Sequence, residues 1–397
     1  MEKRLIKFIL IISLFFSVVN ASEVDLSSKR YILYNLNDNE VIDSCNEHEH
    51  SNIASLTKIM TVIVAIEDID DFNKEVIITK DMIKGIARDV VKVGFKEGEK
   101  VTYNDLLYGA LLRSGADAVN ALALSTYNKN MDEFISKMNS KAIELGLKDT
   151  HFQNVVGLYD KDNYSSAYDM AQILLYSLNN EKFKSVFTTK EYTLSNGIKL
   201  TRSIEYYNRK SKEDLSFIKG AKTGFIEEGG YSLATIATLN DVDYLFVSLN
   251  ADKSPNQVLD HIKEYKYFSE NYSYQDLLTT SDKITRLKAD YSREKYIDLY
   301  YHTNIKKYLK NDFNKNDLEV VYEGKKEISY FTPKYEVIGN ITIKYNGEII
   351  DNYDVYNNSE LTLDYNKVFV DYHYLFTFGL FIICLMICWV ISVINKK

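Results

Sequence analysis

Cysteine and proline are scarce in this 397-residue chain, with three of the first and two of the second. Cys384 and Cys388 fall inside one apolar run near the C-terminus, so Cys45 stands alone in the remainder. No intramolecular disulfide can form there, and the fold must rest on its core. A basic excess is missing too. The formal net charge is -8, which excludes the broad cationic face that nucleic acid requires. No internal repeat and no low-complexity tract is present, and the few prolines and many Tyr, Asn and Lys read as compositional bias. His48, His50 and His151 lack metal-ligand spacing with each other and with acidic partners. His48 and His50 read as exposed loop residues, and neither a metal nor a cofactor is expected.

What the chain does have is a hydrophobic segment at each end. Lys3, Arg4 and Lys7 precede an apolar run from Phe8 to Phe16 that only Ser13 interrupts, and Val19-Asn20-Ala21 follows with small residues. This pattern predicts a signal peptide over residues 1–21, with an uncleaved anchor as the alternative. The bulk of the chain leaves the cytoplasm either way. From Leu375 to Ile394 no charged residue occurs. At about 1.5 Å per residue, that stretch matches a hydrocarbon core of about 30 Å. Tyr372, Tyr374 and Trp389 lie in or beside it, and Lys396 and Lys397 follow as a cytoplasmic stop. A transmembrane helix is expected over 374–394, with the body tethered outside. Roughly 350 residues remain between the two ends, enough for a large domain and a smaller one.

Along that body the periodicity changes twice. Tyr31–Tyr34 and Glu40–Ile42 alternate around Asn37-Asp38-Asn39, as a hairpin does. Helical spacing runs from Ser55 to Glu67. It returns from Asp105 to Tyr127 with a break at Arg113-Ser114-Gly115, then from Met131 to Leu145 and from Ala167 to Leu178. Strands resume between Phe217 and Leu249, and a helix from Val258 to Tyr272 closes the region. Strands, then helices, then strands predict an α+β domain over 27–274. Its antiparallel sheet pairs the first strands with the last and carries a helical insertion. Beyond Tyr274, short segments such as Ile328–Phe331 and Ile341–Tyr345, with Asn346-Gly347 as a turn, predict a small β-sandwich-like domain over 275–368.

Three short motifs carry chemistry. Ser55-Leu56-Thr57-Lys58 opens the first strong helix, and residues i and i+3 share a face, so a hydroxyl and an amine can meet there. A serine hydroxyl is a poor nucleophile until a neighbour takes its proton. A lysine can do so if burial or another cation favours its neutral form. The spacing alone is weak, since Ser216/Lys219 and Ser292/Lys295 repeat it. Lys222-Thr223-Gly224 lies at the start of the returning strands. It offers a cation and a hydroxyl to a carboxylate, and a glycine that lets a substrate backbone come close. Ser114-Gly115 sits at the helical break, where a hydroxyl could enter a cleft or simply cap the next helix.

The order and setting of the three resemble the serine D-Ala-D-Ala carboxypeptidases, the low-molecular-mass penicillin-binding proteins. Further segments agree: Gly98-Glu99-Lys100-Val101-Thr102 leading to Leu106-Leu107-Tyr108-Gly109, Thr150-His151-Phe152 with Asn154, Gly157 and Leu158, and Ser166-Ala167-Tyr168-Asp169. The likeness covers roughly Lys29 to Tyr267. It implies that Ser55 is the acylated nucleophile, Lys58 its base and Ser114 a proton relay, with Lys222 and Thr223 holding the terminal carboxylate beside Gly224. It implies an oxyanion hole from the N–H of Ser55 and one near Phe225. The substrate would be a peptidoglycan stem peptide, β-lactams would be covalent inhibitors, and the C-terminal helix would hold the membrane.

The family's second motif usually reads Ser-x-Asn, whereas here Ala116 takes the place of the Asn and Asn120 follows one helical turn later. Asn120 is a candidate to hold Lys58 in the amide's stead, with the alternative that it packs at a helix contact and the site works without the amide. Two other readings stay open. One is a wall-binding scaffold with weak catalysis, which Ala116 favours. The other is a β-lactamase, against which stand the C-terminal β segment, the anchor, and the lack of a recognisable deacylating glutamate motif.

Overall fold

The computed structural model describes residues 24–126 and 130–394. The expected signal peptide and the terminal lysine pair lie outside the described residues. The described chain divides into two compact units, which meet between Glu270 and Asn271.

The first unit begins with the hairpin β1 (Arg30–Asn35) and β2 (Glu40–Cys45). The Asn35 side chain accepts from the Asn37 N–H at 2.9 Å, and Asn39 takes φ 55°, the left-handed conformation that a tight turn needs. Helix α1 (Thr57–Glu67) follows a single 3-10 turn over Ala54–Leu56. Then come α2 (Tyr103–Leu111), α3 (Ala116–Thr126), α4 (Met131–Glu144), α5 (Ala167–Leu178), α6 (Glu181–Thr188) and α7 (Ser203–Asn208). Strands β3 (Ile218–Ile226), β4 (Gly230–Leu239) and β5 (Val242–Ala251) and helix α8 (Asn256–Asn271) complete it. These five strands form one antiparallel sheet in the order β2-β1-β5-β4-β3, and Glu75–Ile77 with Lys100–Thr102 and Glu191–Thr193 with Lys199–Thr201 form two further two-stranded sheets. The first strands pair with the last, as expected, and β3 is left at an edge.

Helix α1 is the hub. Every residue from Thr57 to Ile66 is buried, so it is apolar on all sides, unlike a surface helix with one apolar stripe. Ile59, Met60, Val62, Ile63 and Val64 join the main core. Burying each such side chain is worth about 1.5–3 kcal/mol. A lysine in this environment, Lys58, is therefore conspicuous.

Apart from a single 3-10 turn over Lys315–Asp317, the second unit is built of strands up to its last helix. It contains β6 (Tyr272–Leu278), β7 (Lys283–Asp290), β8 (Tyr296–Tyr300), β9 (Ile305–Lys310), β10 (Leu318–Gly324), β11 (Glu327–Ser329), β12 (Val337–Tyr345) and β13 (Glu348–Tyr356). These form a β6-β9 pair and two three-stranded sheets, β8-β7-β11 and β10-β12-β13. The sheets enclose their own core of Leu277, Leu287, Leu299, Ile328, Ile341 and Ile343. Asn346 and Gly347 both have positive φ, 51° and 85°, as the β12–β13 turn demands. Tyr330 and Phe331, which the sequence places in a strand, instead leave β11 and are exposed. Helix α9 (Tyr365–Ile394) is 30 residues long and apolar enough to cross a membrane, with its apolar side chains exposed. It begins well before the span expected from residue 374.

Candidate active site

Ser55 lies in the 3-10 turn that leads into α1, half-buried between the fully buried Ala54 and Leu56. Ala54 takes φ 48°, so the chain is bent sharply just ahead of the serine. One turn on, the Lys58 ammonium donates to Ser55 Oγ at 2.7 Å and to the carbonyl oxygen of Val156 at 2.6 Å. Lys58 is 1% exposed, and burial lowers its pKa from 10.5 to about 7. An amine held at hydrogen-bond distance from a hydroxyl, and half neutral near pH 7, is equipped to take the hydroxyl's proton. The competing matches lack this setting. Lys219 and Lys295 are both exposed, Ser216 bonds to Asp214, and Ser292 is engaged by Glu294 and Thr362.

The second half of the site is built on β3. Lys222 is fully buried and donates to Ser114 Oγ at 2.8 Å and to its neighbour's carbonyl, Thr223 O, at 2.7 Å. Burial, and then the charge of nearby Lys58, press its pKa well below the ordinary value. The charge of Lys58 is thus felt at Lys222, whereas burial accounts for the shift at Lys58. Thr223 Oγ1 is 2.6 Å from Ser203 Oγ at the start of α7. A Cβ on Gly224 would lie 3.1 Å from Ile53 O and 3.3 Å from Ser55 N. The backbone that Gly224 admits is thus that of the nucleophile's own turn, and not only that of a substrate as expected. Its contact seats the β3 edge against Ser55.

Ser114 is not a helix cap. It has φ 65°, and its hydroxyl is turned to Lys222. The tight link between α2 and α3 is held by Gly115 N–H to Gly109 O, 2.9 Å, and Ala116 N–H to Val91 O, 2.9 Å. Asp117, 2% exposed, accepts from the N–H groups of Val93, Gly94, Phe95 and Ala118 at 2.8, 2.7, 3.2 and 3.0 Å. That carboxylate ties a separate loop to the start of α3.

Sequence reasoning missed the loop that fixes Lys58. Asn154 Oδ1 accepts from the N–H groups of Val156, Gly157 and Leu158 at 3.2, 2.7 and 3.0 Å, which orients the Val156 carbonyl. Gly157 has φ 86°, and a Cβ there would sit 1.8 Å from Ala54 O. Thr61 Oγ1 donates to Val155 O at 2.8 Å, a second stitch to α1. The signal was the Asn154–Gly157 pair, present in the sequence but with no role assigned. Of the two readings of Asn120, the structure agrees with the packing one. Asn120 is half-exposed on α3 and, among the described residues, has no hydrogen bond to Lys58, whose second acceptor is Val156 O. Ala116 is buried in the main core. His48 and His50 are exposed but not isolated, since each puts a ring nitrogen 3.3 Å from an oxygen of Asp149.

The signature of peptidase family S11, described as D-alanyl-D-alanine carboxypeptidase, matches residues 17–253. The chain belongs to this family. The D-alanyl-D-alanine carboxypeptidase DacF of Bacillus subtilis is 27% identical over 340 residues, covering 83% of this chain and 84% of its own. DacD of Escherichia coli is 29% identical, covering 69% of this chain and 71% of its own. Among solved structures, penicillin-binding protein 5 from Haemophilus influenzae superposes with a TM-score of 0.66 at 22% identity, covering 87% of this chain and 99% of that one. The DD-transpeptidase of Streptomyces K15 superposes with a TM-score of 0.56 at 26% identity, covering 62% of this chain and 98% of its own. The α+β fold of this S11 member, with its antiparallel sheet, flanking helices and small β domain, agrees with those neighbours.

Proposed function

We propose that this S11 member is a serine D,D-carboxypeptidase that removes the terminal D-alanine from peptidoglycan stem pentapeptides through a Ser55 acyl-enzyme. The observation that carries the reading is the 2.7 Å contact between Ser55 Oγ and a Lys58 amine that burial brings to a pKa of about 7.

Neutral Lys58 takes the Ser55 proton along that contact, and Oγ attacks the carbonyl carbon of the penultimate D-alanine. The N–H groups of Ser55 and Phe225 receive the oxyanion, the second from an edge strand that has backbone donors to spare. The intermediate collapses and the C–N bond breaks. The leaving amine takes its proton by way of Ser114, whose hydroxyl lies on Lys222. Lys222 and Thr223 hold the terminal carboxylate, and that anion offsets the burial that otherwise drives Lys222 toward its neutral form. Water then cleaves the ester, and Lys58 serves again as base. The same serine is acylated by penicillins.

The likeness to D-alanyl-D-alanine carboxypeptidases favours catalysis over the scaffold and β-lactamase readings, and Lys58 has an acceptor in Val156 O although Ala116 offers none. As to location, α9 is read as a single membrane span and the first unit as lying on the extracytoplasmic side. The test is D-alanine release from an acyl-D-Ala-D-Ala peptide by wild type and Ser55→Ala. Release by wild type alone supports the reading. Equal release, or none from either, overturns it.

A further inference from the structure

The core of the β unit leaves several aromatic residues exposed, among them Tyr296, Tyr300, Tyr330, Phe331 and Tyr335, and of these Phe331 meets the apolar face of α9. Phe331 is 58% exposed and Tyr330 is 43% exposed, packed edge to face at 5.5 Å in the turn after β11. Phe331 shares a shallow apolar pocket with Val368, Tyr372, Leu375 and Phe376 of α9. Positions i, i+4, i+7 and i+8 lie on one helix face, so Phe331 stands level with the turn from Tyr372 to Phe376.

That level has a physical meaning. Helix α9 spans 30 residues, about 45 Å at 1.5 Å per residue, longer than a hydrocarbon core of about 30 Å. After Asp371 the helix carries no Asp, Glu, Lys or Arg, and the stretch from Leu375 to Ile394 alone is long enough to fill the core, which places the outer boundary of the hydrocarbon near Leu375. The turns before it, with Lys367, Asp371 and His373, emerge among headgroups. They are fastened to the β unit. Lys367 pairs with Asp290 and lies 5.2 Å above the Tyr291 ring. Tyr291 packs 6.0 Å from Tyr372 and 5.7 Å from Phe331, and Asp364 N–H donates to Tyr291 O at 3.0 Å. The emerging helix is therefore a post clamped to the turn, with the two rings at the foot.

We propose that the turn bearing Tyr330 and Phe331 rests in the interfacial layer of the same bilayer that α9 crosses, a second membrane contact beside the span. Tyrosine is favoured at that depth, where the apolar body and the hydroxyl of Tyr330 are both satisfied, and the purely apolar Phe331 gains by leaving water for the acyl-chain boundary. The proposal rests on reading α9 as a membrane span, and the two can be separated.

The chain has one tryptophan, Trp389, inside the span. Wild-type protein in phospholipid vesicles reports on the span through quenching of Trp389 by lipids brominated in the acyl chain. In a Trp389→Phe background, Phe331→Trp reports on the turn and Tyr300→Trp is the control. Tyr300 is exposed and pairs with Lys283, seven residues along β7 from the clamped Asp290, about 23 Å away at 3.3 Å per residue. The expected result is loss of Phe331→Trp emission with lipids brominated near the headgroup, together with protection from aqueous iodide. Tyr300→Trp should show neither. Quenching of Trp389 with Phe331→Trp open to iodide and blind to bromolipid would overturn the proposal and leave the span. Protection from iodide without bromolipid quenching would also overturn it, because another protein surface would then be the cover. An unquenched Trp389 would bring down the span reading and this proposal with it.

Discussion

Lowering the pH should switch off acylation in step with protonation of Lys58, independently of binding. An ordinary lysine of pKa 10.5 is neutral in about 0.03% of molecules at pH 7. Burial brings Lys58 to about 7, so half the molecules hold the free base. The gain in competent enzyme is on the order of 10³-fold, and the cost is about 5 kcal/mol of disfavoured ammonium. The second-order rate of acylation by a fluorescent penicillin, followed by stopped flow, should fall tenfold per pH unit below about 6 and level off above about 8. The same burial sets a sign for stability. Below about pH 7 both folded and unfolded chains carry the proton, and the penalty is fully present. Between about 7 and 10.5 the unfolded chain binds a proton that the folded chain does not, so this penalty fades as pH rises. Lys58→Met should therefore raise the melting temperature at pH 6 by more than at pH 9. A rate flat from pH 5 to 9, or a Lys58→Met variant that gains nothing at acid pH, would refute the reasoning.

Three further outcomes follow from the geometry. Gly157→Ala places a Cβ 1.8 Å from Ala54 O at φ 86°. It should lose more, by denaturant titration, than the about 1–3 kcal/mol that the left-handed backbone alone costs a non-glycine residue, and acylate more slowly even where folded, since the Val156 carbonyl must move. Asn120→Ala should acylate at the wild-type rate, and a tenfold loss would restore that residue to the site. Lys222→Ala removes a charge-assisted contact worth roughly 1.5–3 kcal/mol, so kcat/KM on acyl-D-Ala-D-Ala should fall by about one to two decades. A wild-type enzyme that cleaves the acid and its C-terminal amide equally would contradict the assignment.

What the sequence revealed depended on how local each cause was. The Ser55–Lys58 pair was legible because three residues on a helix place two side chains together whatever surrounds them. Helix α5 was legible from residue 167 to 178 because Ser166 caps it, accepting from Asp169 N–H at 3.1 Å, and its apolar period is clean. The Val156 carbonyl was not legible. It reaches Lys58 across 98 residues, and a main-chain oxygen leaves no residue-type signature. Ser203 escaped for a similar reason, since nothing in its own segment points to Thr223 twenty residues on. The choice between the two readings of Asn120 was not legible, because a shared helix face says which positions neighbour each other, not which of them looks into the cleft. Tyr330 and Phe331 read as strand on β propensity, yet the chain turns after Ser329, and those two side chains remain outside the core.

The account stands on Ser55 as the nucleophile, and the most direct measurement is the location of the covalent adduct. The full-length protein is incubated with benzylpenicillin, digested and mapped by tandem mass spectrometry. The prediction is a penicilloyl ester on Ser55 alone, absent from Ser55→Ala and slow to form in Lys58→Met. An adduct on Ser114 or Ser216, or an unmodified Ser55 under conditions that acylate the protein, would contradict it.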